Sequence, residues 1–156
     1  MKFFEMRIPP VAVFLICAIV MYLVQRSAYT FEIELLYRMI LIAPLALFGA
    51  YVALMGVVQF KNAQTTVNPF TPGKSSVLVT SGVYSWSRNP MYLGLLCYLL
   101  ALFVYFAAPI ALVGPALFKI YMNRFQIQTE ERYLTQIFGE TYIIYTSSVN
   151  RWIGNK

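Results

Sequence analysis

Two short segments hold most of the polar chemistry in this chain. The first runs Ser76-Val77-Leu78-Val79-Thr80-Ser81-Gly82-Val83-Tyr84-Ser85-Trp86-Ser87-Arg88-Asn89-Pro90-Met91-Tyr92-Leu93-Gly94. The second runs Arg124-Phe125-Gln126-Ile127-Gln128-Thr129-Glu130-Glu131-Arg132, followed by Phe138-Gly139-Glu140-Thr141-Tyr142. Asn89 and Pro90 read as a helix start, where unpaired backbone amides favour an anionic group. Asn89 could serve a ligand there or merely cap the helix, and Arg88 could bind an anion or anchor the chain at an interface. Glu130 and Glu131 form an acidic pair in a basic segment, and Gln126 shares a helix face with Glu130. That pair could equally be a solvated face bridged to Arg132. Gly82 and Gly94 permit turns or close packing. Tyr84 and Tyr92 could stack on a planar ring or join an aromatic belt. The chain has no histidine, which excludes histidine catalysis and histidine metal sites. Cys17 and Cys97 lie inside apolar runs and are not spaced like metal ligands.

The elements that must position these groups are apolar. Of the 156 residues, 60% are hydrophobic and 12% charged. A soluble domain carries about 45–50% apolar and about 25% charged residues. Mean hydropathy is +0.65. Disorder, collagen and a soluble coiled coil are excluded by the same composition. The expected architecture is a single all-α integral membrane domain over residues 1–156. It has about four transmembrane helices, at approximately 8–25, 35–60, 90–107 and 110–127. A cytoplasmic loop and a C-terminal helix complete it. Pro44 should bend the second span, and Gly49 and Gly56 suit close helix contact. Gly139 should stop the last long helix. Lys2 and Arg7 ahead of the first run could also head a signal peptide, but no small-residue cleavage site follows, which favours a retained helix.

Basic residues set the orientation. With the N-terminus, the Lys61–Arg88 loop and the C-terminal segment on one side, that side collects Lys2, Arg7, Lys61, Lys74, Arg88, Lys119, Arg124, Arg132, Arg151 and Lys156. The other side holds Arg26 and Arg38. The positive-inside rule then places both termini in the cytoplasm. The net charge of +6 fits a face turned to anionic lipid, and the absence of a clustered basic face argues against nucleic acid. Tyr142, Tyr145, Arg151 and Trp152 read as an aromatic–basic interface set. A site where polar segments meet the membrane surface can take a water-soluble cofactor from one side and a lipid-soluble substrate from the other.

The string Leu78-Val79-Thr80-Ser81-Gly82-Val83-Tyr84, then Ser87-Arg88-Asn89-Pro90-Met91-Tyr92-Leu93-Gly94, then Glu130-Glu131 with Leu134, then Phe138-Gly139-Glu140 with Tyr142 and Tyr145, resembles the isoprenylcysteine carboxyl methyltransferases and their bacterial relatives. It is also similar to the phospholipid methyltransferases. The resemblance covers roughly residues 65–152. It implies an S-adenosylmethionine-dependent membrane methyltransferase with a lipophilic methyl acceptor and no metal. It also implies a cofactor region at about 65–94 and 124–152. Carried over by position, the cofactor residues are Ser76, Val77, Leu78, Val79, Tyr84, Asn89, Pro90, Met91, Tyr92 and Glu130. Glu130 would meet the cofactor ammonium. Arg88 would balance its carboxylate or pair with Glu130.

Two positions depart from the family pattern. Asn89 stands where histidine is frequent, and asparagine cannot titrate. Gln126 stands where the isoprenylcysteine enzymes place an arginine for the substrate carboxylate, which leaves prenylcysteine open as the acceptor. Arg124 is near but about 200° away on a straight helix. Arg88, Arg124 and Gln126 are therefore the candidates for substrate positioning. Two other classes compete. A sterol-reductase-type enzyme using NADPH shares the Arg-x-Pro-x-Tyr-x-Gly string, but usually has an acidic residue where Leu95 stands here. A non-enzymatic scaffold or transporter subunit explains the helices but not the polar motif.

Overall fold

Proline opens two of the helices, at the first-turn position where a missing amide costs no hydrogen bond. In this computed structural model, which describes residues 8–63 and 77–155, α1 spans Pro10–Gln25 and α3 spans Pro90–Phe106. Between them α2 spans Leu35–Asn62 and continues through Pro44 as one helix. Ala107, in the left-handed region, ends α3. The fourth apolar run is divided. A 3-10 turn, Pro109–Leu112, leads into α4, Val113–Tyr121. A π-helical segment, Met122–Ile127, then joins α4 to α5, Gln128–Phe138. Gly139, at φ +54°, stops α5 as its composition implied, and α6 spans Glu140–Ser148. Every helix and turn among the described residues fits the all-α expectation.

Among the described residues, only α2 is both long and apolar enough to cross a bilayer. At 1.5 Å per residue α1 and α3 reach about 24–26 Å, against a hydrocarbon core of about 30 Å. The expectation of about four spans is thus met in length by α2 alone. The run at 110–127 is not one α-helix: a 3-10 turn precedes α4 and a π-helical segment follows it. The outward face of α2 is nonetheless strongly apolar: Leu36, Leu47 and Leu54 are 64–71% exposed. A contiguous face of this kind suits lipid rather than water.

Two packing seams hold the site. The first is α2 against α3, where glycines let the backbones touch. A Cβ on Gly94 would lie 2.6 Å from the Gly49 carbonyl oxygen, and Gly56 sits against Pro90 and Met91. The second seam is a core of Val13, Cys17 and Met21 from α1 with Leu99, Phe118, Met122 and Ile127. It braces α3 and the α4–α5 rod from the other side. After α6 the tail turns back on itself through a bridge between Val149 and Asn155.

Candidate functional site

The loop before α3, the first turn of α3 and the α5–α6 pair enclose one cavity. Its empty volume, open mouth included, is about 820 Å3. Phe60, Leu78, Val79, Tyr84, Leu134, Phe138, Tyr142 and Tyr145 supply the apolar and aromatic wall. Arg88, Asn89, Pro90, Met91, Tyr92, Glu130 and Glu131 form a polar end. The loop can turn tightly because Gly82 takes φ +60° with the Gln59 side chain pressed against it. Its 3-10 turn, Gly82–Ser85, buries Val83 and Tyr84. Tyr145 is buried and its hydroxyl donates to the Tyr84 carbonyl at 2.7 Å, tying α6 to the loop. Tyr145→Phe would leave that carbonyl unsatisfied, and the expected loss is about 1–3 kcal/mol, read as a lower unfolding midpoint.

Glu130 is the half-buried carboxyl group at the centre of the polar end. Tyr92 Oη donates to Glu130 Oε1 at 2.5 Å and Gln126 Nε2 donates to the same oxygen at 2.8 Å. Both hydrogen bonds land on Oε1, so Oε2 is the oxygen open to a ligand among the described residues. Burial pushes the Glu130 carboxyl above its ordinary range; the Tyr92 and Gln126 hydrogen bonds oppose the rise and Glu131 adds to it. Burial also raises Tyr142 to about 12, with Glu131 adding and Arg88 opposing, so this wall hydroxyl stays neutral.

Arg88 faces the cavity with its side chain 8% exposed. It pairs with Glu131, Nη1 to Oε1 at 2.8 Å, not with Glu130. Its Nε is buried with no partner among the described residues. Arg151 reaches the same carboxylate from the tail, Nε to Oε1 at 2.9 Å and Nη2 to Oε2 at 2.6 Å. Asn89 does not cap α3 with its side chain; its Nδ2 donates to the Arg151 carbonyl at 2.9 Å. The polar end therefore sets a half-buried carboxylate beside an uncapped helix N-terminus and a buried guanidinium. It can hold a small ligand bearing both an ammonium and an anion.

A family model for phospholipid methyltransferases matches residues 37–141 of this chain, spanning both polar segments. The chain belongs to the phospholipid methyltransferase family. Among curated relatives, it is 35% identical to the Protein-S-isoprenylcysteine O-methyltransferase of Xenopus laevis, over 67% of this chain and 39% of that one. It is 40% identical to the enzyme of the same name from Saccharomyces cerevisiae, over 47% of this chain and 30% of that one. An uncharacterized protein from Haemophilus influenzae is 41% identical over 40% of this chain and its own whole length. The matched region spans about two fifths or less of the two isoprenylcysteine O-methyltransferases. No solved structure matches the chain.

In this family member, Val77, Leu78, Val79, Tyr84, Arg88, Asn89, Pro90, Met91, Tyr92 and Glu130 all line one cavity. Ser76 lies outside the described residues. Gln126 is buried behind Glu130, not on the cavity surface, and Arg124 faces a separate depression with Gln128 and Arg132. Neither is brought to the cavity. Arg132, the alternative partner for the acidic pair, instead donates to Thr129 Oγ1 at 3.0 Å. Tyr142 and Tyr145 are not an interfacial belt: they are 4% and 8% exposed and form the cavity wall. Glu131, Leu134 and Phe138 were visible in the motif without a role, and the structure puts them in the wall. Arg151 was read only as a basic interface residue. Among the described residues no group of three or more Cys, Asp or Glu side chains could hold a metal.

Proposed function

We propose that the chain is an S-adenosylmethionine-dependent methyltransferase working in the membrane on a lipophilic acceptor. One observation carries the reading: Glu130, Arg88 and the α3 N-terminus converge on one cavity with an aromatic wall, in a methyltransferase-family chain. The residues fit the cofactor. Glu130 Oε2 would take its ammonium; the Arg88 guanidinium and the first amides of α3 would take its carboxylate. Tyr84, Tyr142, Leu134 and Phe138 would enclose its flat base. When bound, S-adenosylmethionine supplies an electrophilic methyl group on a sulfonium leaving group. The chain's contribution is alignment and dryness: its wall fixes the ligand and excludes water. Alignment of this kind can supply about 7–11 kcal/mol of a barrier.

The acceptor enters from the lipid side in this reading. The names of the relatives point to isoprenylcysteine as the acceptor, while Gln126, held by Glu130, supplies no cation for its carboxylate. The four-span arrangement with both termini cytoplasmic belongs to the same proposal. Its support is the sided distribution of basic residues and the apolar exposed faces of α1 and α2; local thinning of the bilayer would accommodate the shorter helices.

The direct test is thermal unfolding of the purified protein in lipid with S-adenosylhomocysteine, and separately with NADPH. At about 100 times its dissociation constant a ligand adds about 2.7 kcal/mol. Stabilisation by S-adenosylhomocysteine alone is expected. Stabilisation by NADPH alone would replace this reading with a reductase.

A further inference from the structure

Glu131 is shared by two arginines, and the second, Arg151, comes from the tail after α6. We propose that Arg151 is a positioning residue for the anionic end of the cofactor, acting through Glu131 and Arg88. The inference rests on the S-adenosylmethionine reading above.

The argument is one of charge and geometry. Arg88 alone with Glu131 would be a neutral pair whose guanidinium is spent on its own carboxylate. Arg151 takes both oxygens of Glu131 in a forked contact, Nε to Oε1 and Nη2 to Oε2. Such paired, charge-assisted hydrogen bonds are strong and fix orientation. Arg88 then makes one contact with the carboxylate, through Nη1. The remaining N–H groups of its guanidinium are not used by this contact, and the buried Nε has no hydrogen-bond partner among the described residues. Two cations against one anion leave a net positive charge beside Glu130 in the polar end. A zwitterionic amino acid group needs that polarity: ammonium to Glu130, carboxylate to Arg88.

The tail that delivers Arg151 has other anchors. The Arg88 amide donates to the Asn150 carbonyl at 3.1 Å and the Gly154 amide to the Trp86 carbonyl at 2.8 Å. Trp152 Nε1 donates to Asn123 Oδ1 at 3.0 Å. A change at the Arg151 side chain therefore removes its charge and fork while these contacts keep the tail in place.

The test compares two ligands on the full chain in lipid. S-adenosylhomocysteine carries the amino acid end; 5′-deoxy-5′-methylthioadenosine keeps the nucleoside thioether and lacks that end. Arg151→Gln is expected to weaken S-adenosylhomocysteine about tenfold and leave methylthioadenosine unchanged. Arg151→Lys restores the charge without the fork and should recover part of the loss. Equal weakening of both ligands would mean that Arg151 only holds the fold, and unchanged binding of both would mean that it plays no part; either overturns the proposal. A wild-type chain that binds methylthioadenosine but gains nothing from the amino acid end would overturn it as well. Wild-type protein that binds neither ligand would remove the cofactor reading itself.

Discussion

Glu130→Gln is expected to lose the cofactor and to gain stability when empty. Glutamine keeps a carbonyl oxygen where Tyr92 and Gln126 donate, because both reach Oε1. The negative charge goes and the local hydrogen bonds stay. A hydrogen bond to a charged group contributes about 1.5–3 kcal/mol, so affinity for S-adenosylhomocysteine should fall about 10- to 100-fold. Isothermal titration in lipid reads this directly. Unchanged affinity would remove Glu130 from the site.

The stability change follows from the raised carboxyl of Glu130. The folded chain holds its proton at pH values where the unfolded chain has released it. Stability therefore falls as pH rises from the ordinary carboxylate value through the folded one, and the full cost stands above that. Glutamine carries no such cost. The empty variant should unfold above wild type at neutral pH, with the gap closing as pH drops below the ordinary value of 4.5. Binding has the opposite sign. An ammonium needs the ionised carboxylate, so wild-type affinity should decline as pH falls through the folded value of Glu130. The variant's affinity should be flat over the same range. A variant that follows the wild-type profile would place the titration on another group.

What could be read from the sequence was what local spacing encodes. Pro90 starts a helix where the chain said it would, and Gly139 breaks one. Gln126 and Glu130 meet as their spacing implies. The cavity-lining part of the first motif could be placed because consecutive residues of one loop and one helix turn must lie together. The losses were long-range. No periodicity pairs Arg88 with Glu131, or brings Arg151 onto the same carboxylate from the tail. Tyr142 and Tyr145 look like an interface pair in a sequence because aromatics beside arginine suit lipid headgroups as well as a cavity. The π-helical segment at Met122–Ile127 left no mark in composition, and of its residues only Ile127 lines the cavity.

Gly94→Val is expected to damage fold and site together, because α3 carries one into the other. A Cβ at Gly94 would stand 2.6 Å from the Gly49 carbonyl oxygen and 2.8 Å from Ala53 Cβ. The first of these is backbone of α2 and has no rotamer to yield. The helices must separate, at about 1–3 kcal/mol or more for an overpacked seam. Gly94→Ala should already lower the unfolding midpoint, and valine should lower it further. Gly114→Ala is the informative comparison: its Cβ would meet the thioether of Met21, a flexible side chain, as well as the Cys17 carbonyl oxygen at 3.3 Å, so a smaller loss is expected. Displacing α3 also moves Asn89, Pro90, Met91 and Tyr92 against Glu130, and a misplacement near 1 Å can cost about 100-fold in rate. Ligand affinity and transfer rate should therefore fall in Gly94→Ala even at temperatures where the variant is fully folded. If Gly94→Ala bound S-adenosylhomocysteine as wild type does, the α2–α3 seam would be a structural support without influence on the cavity.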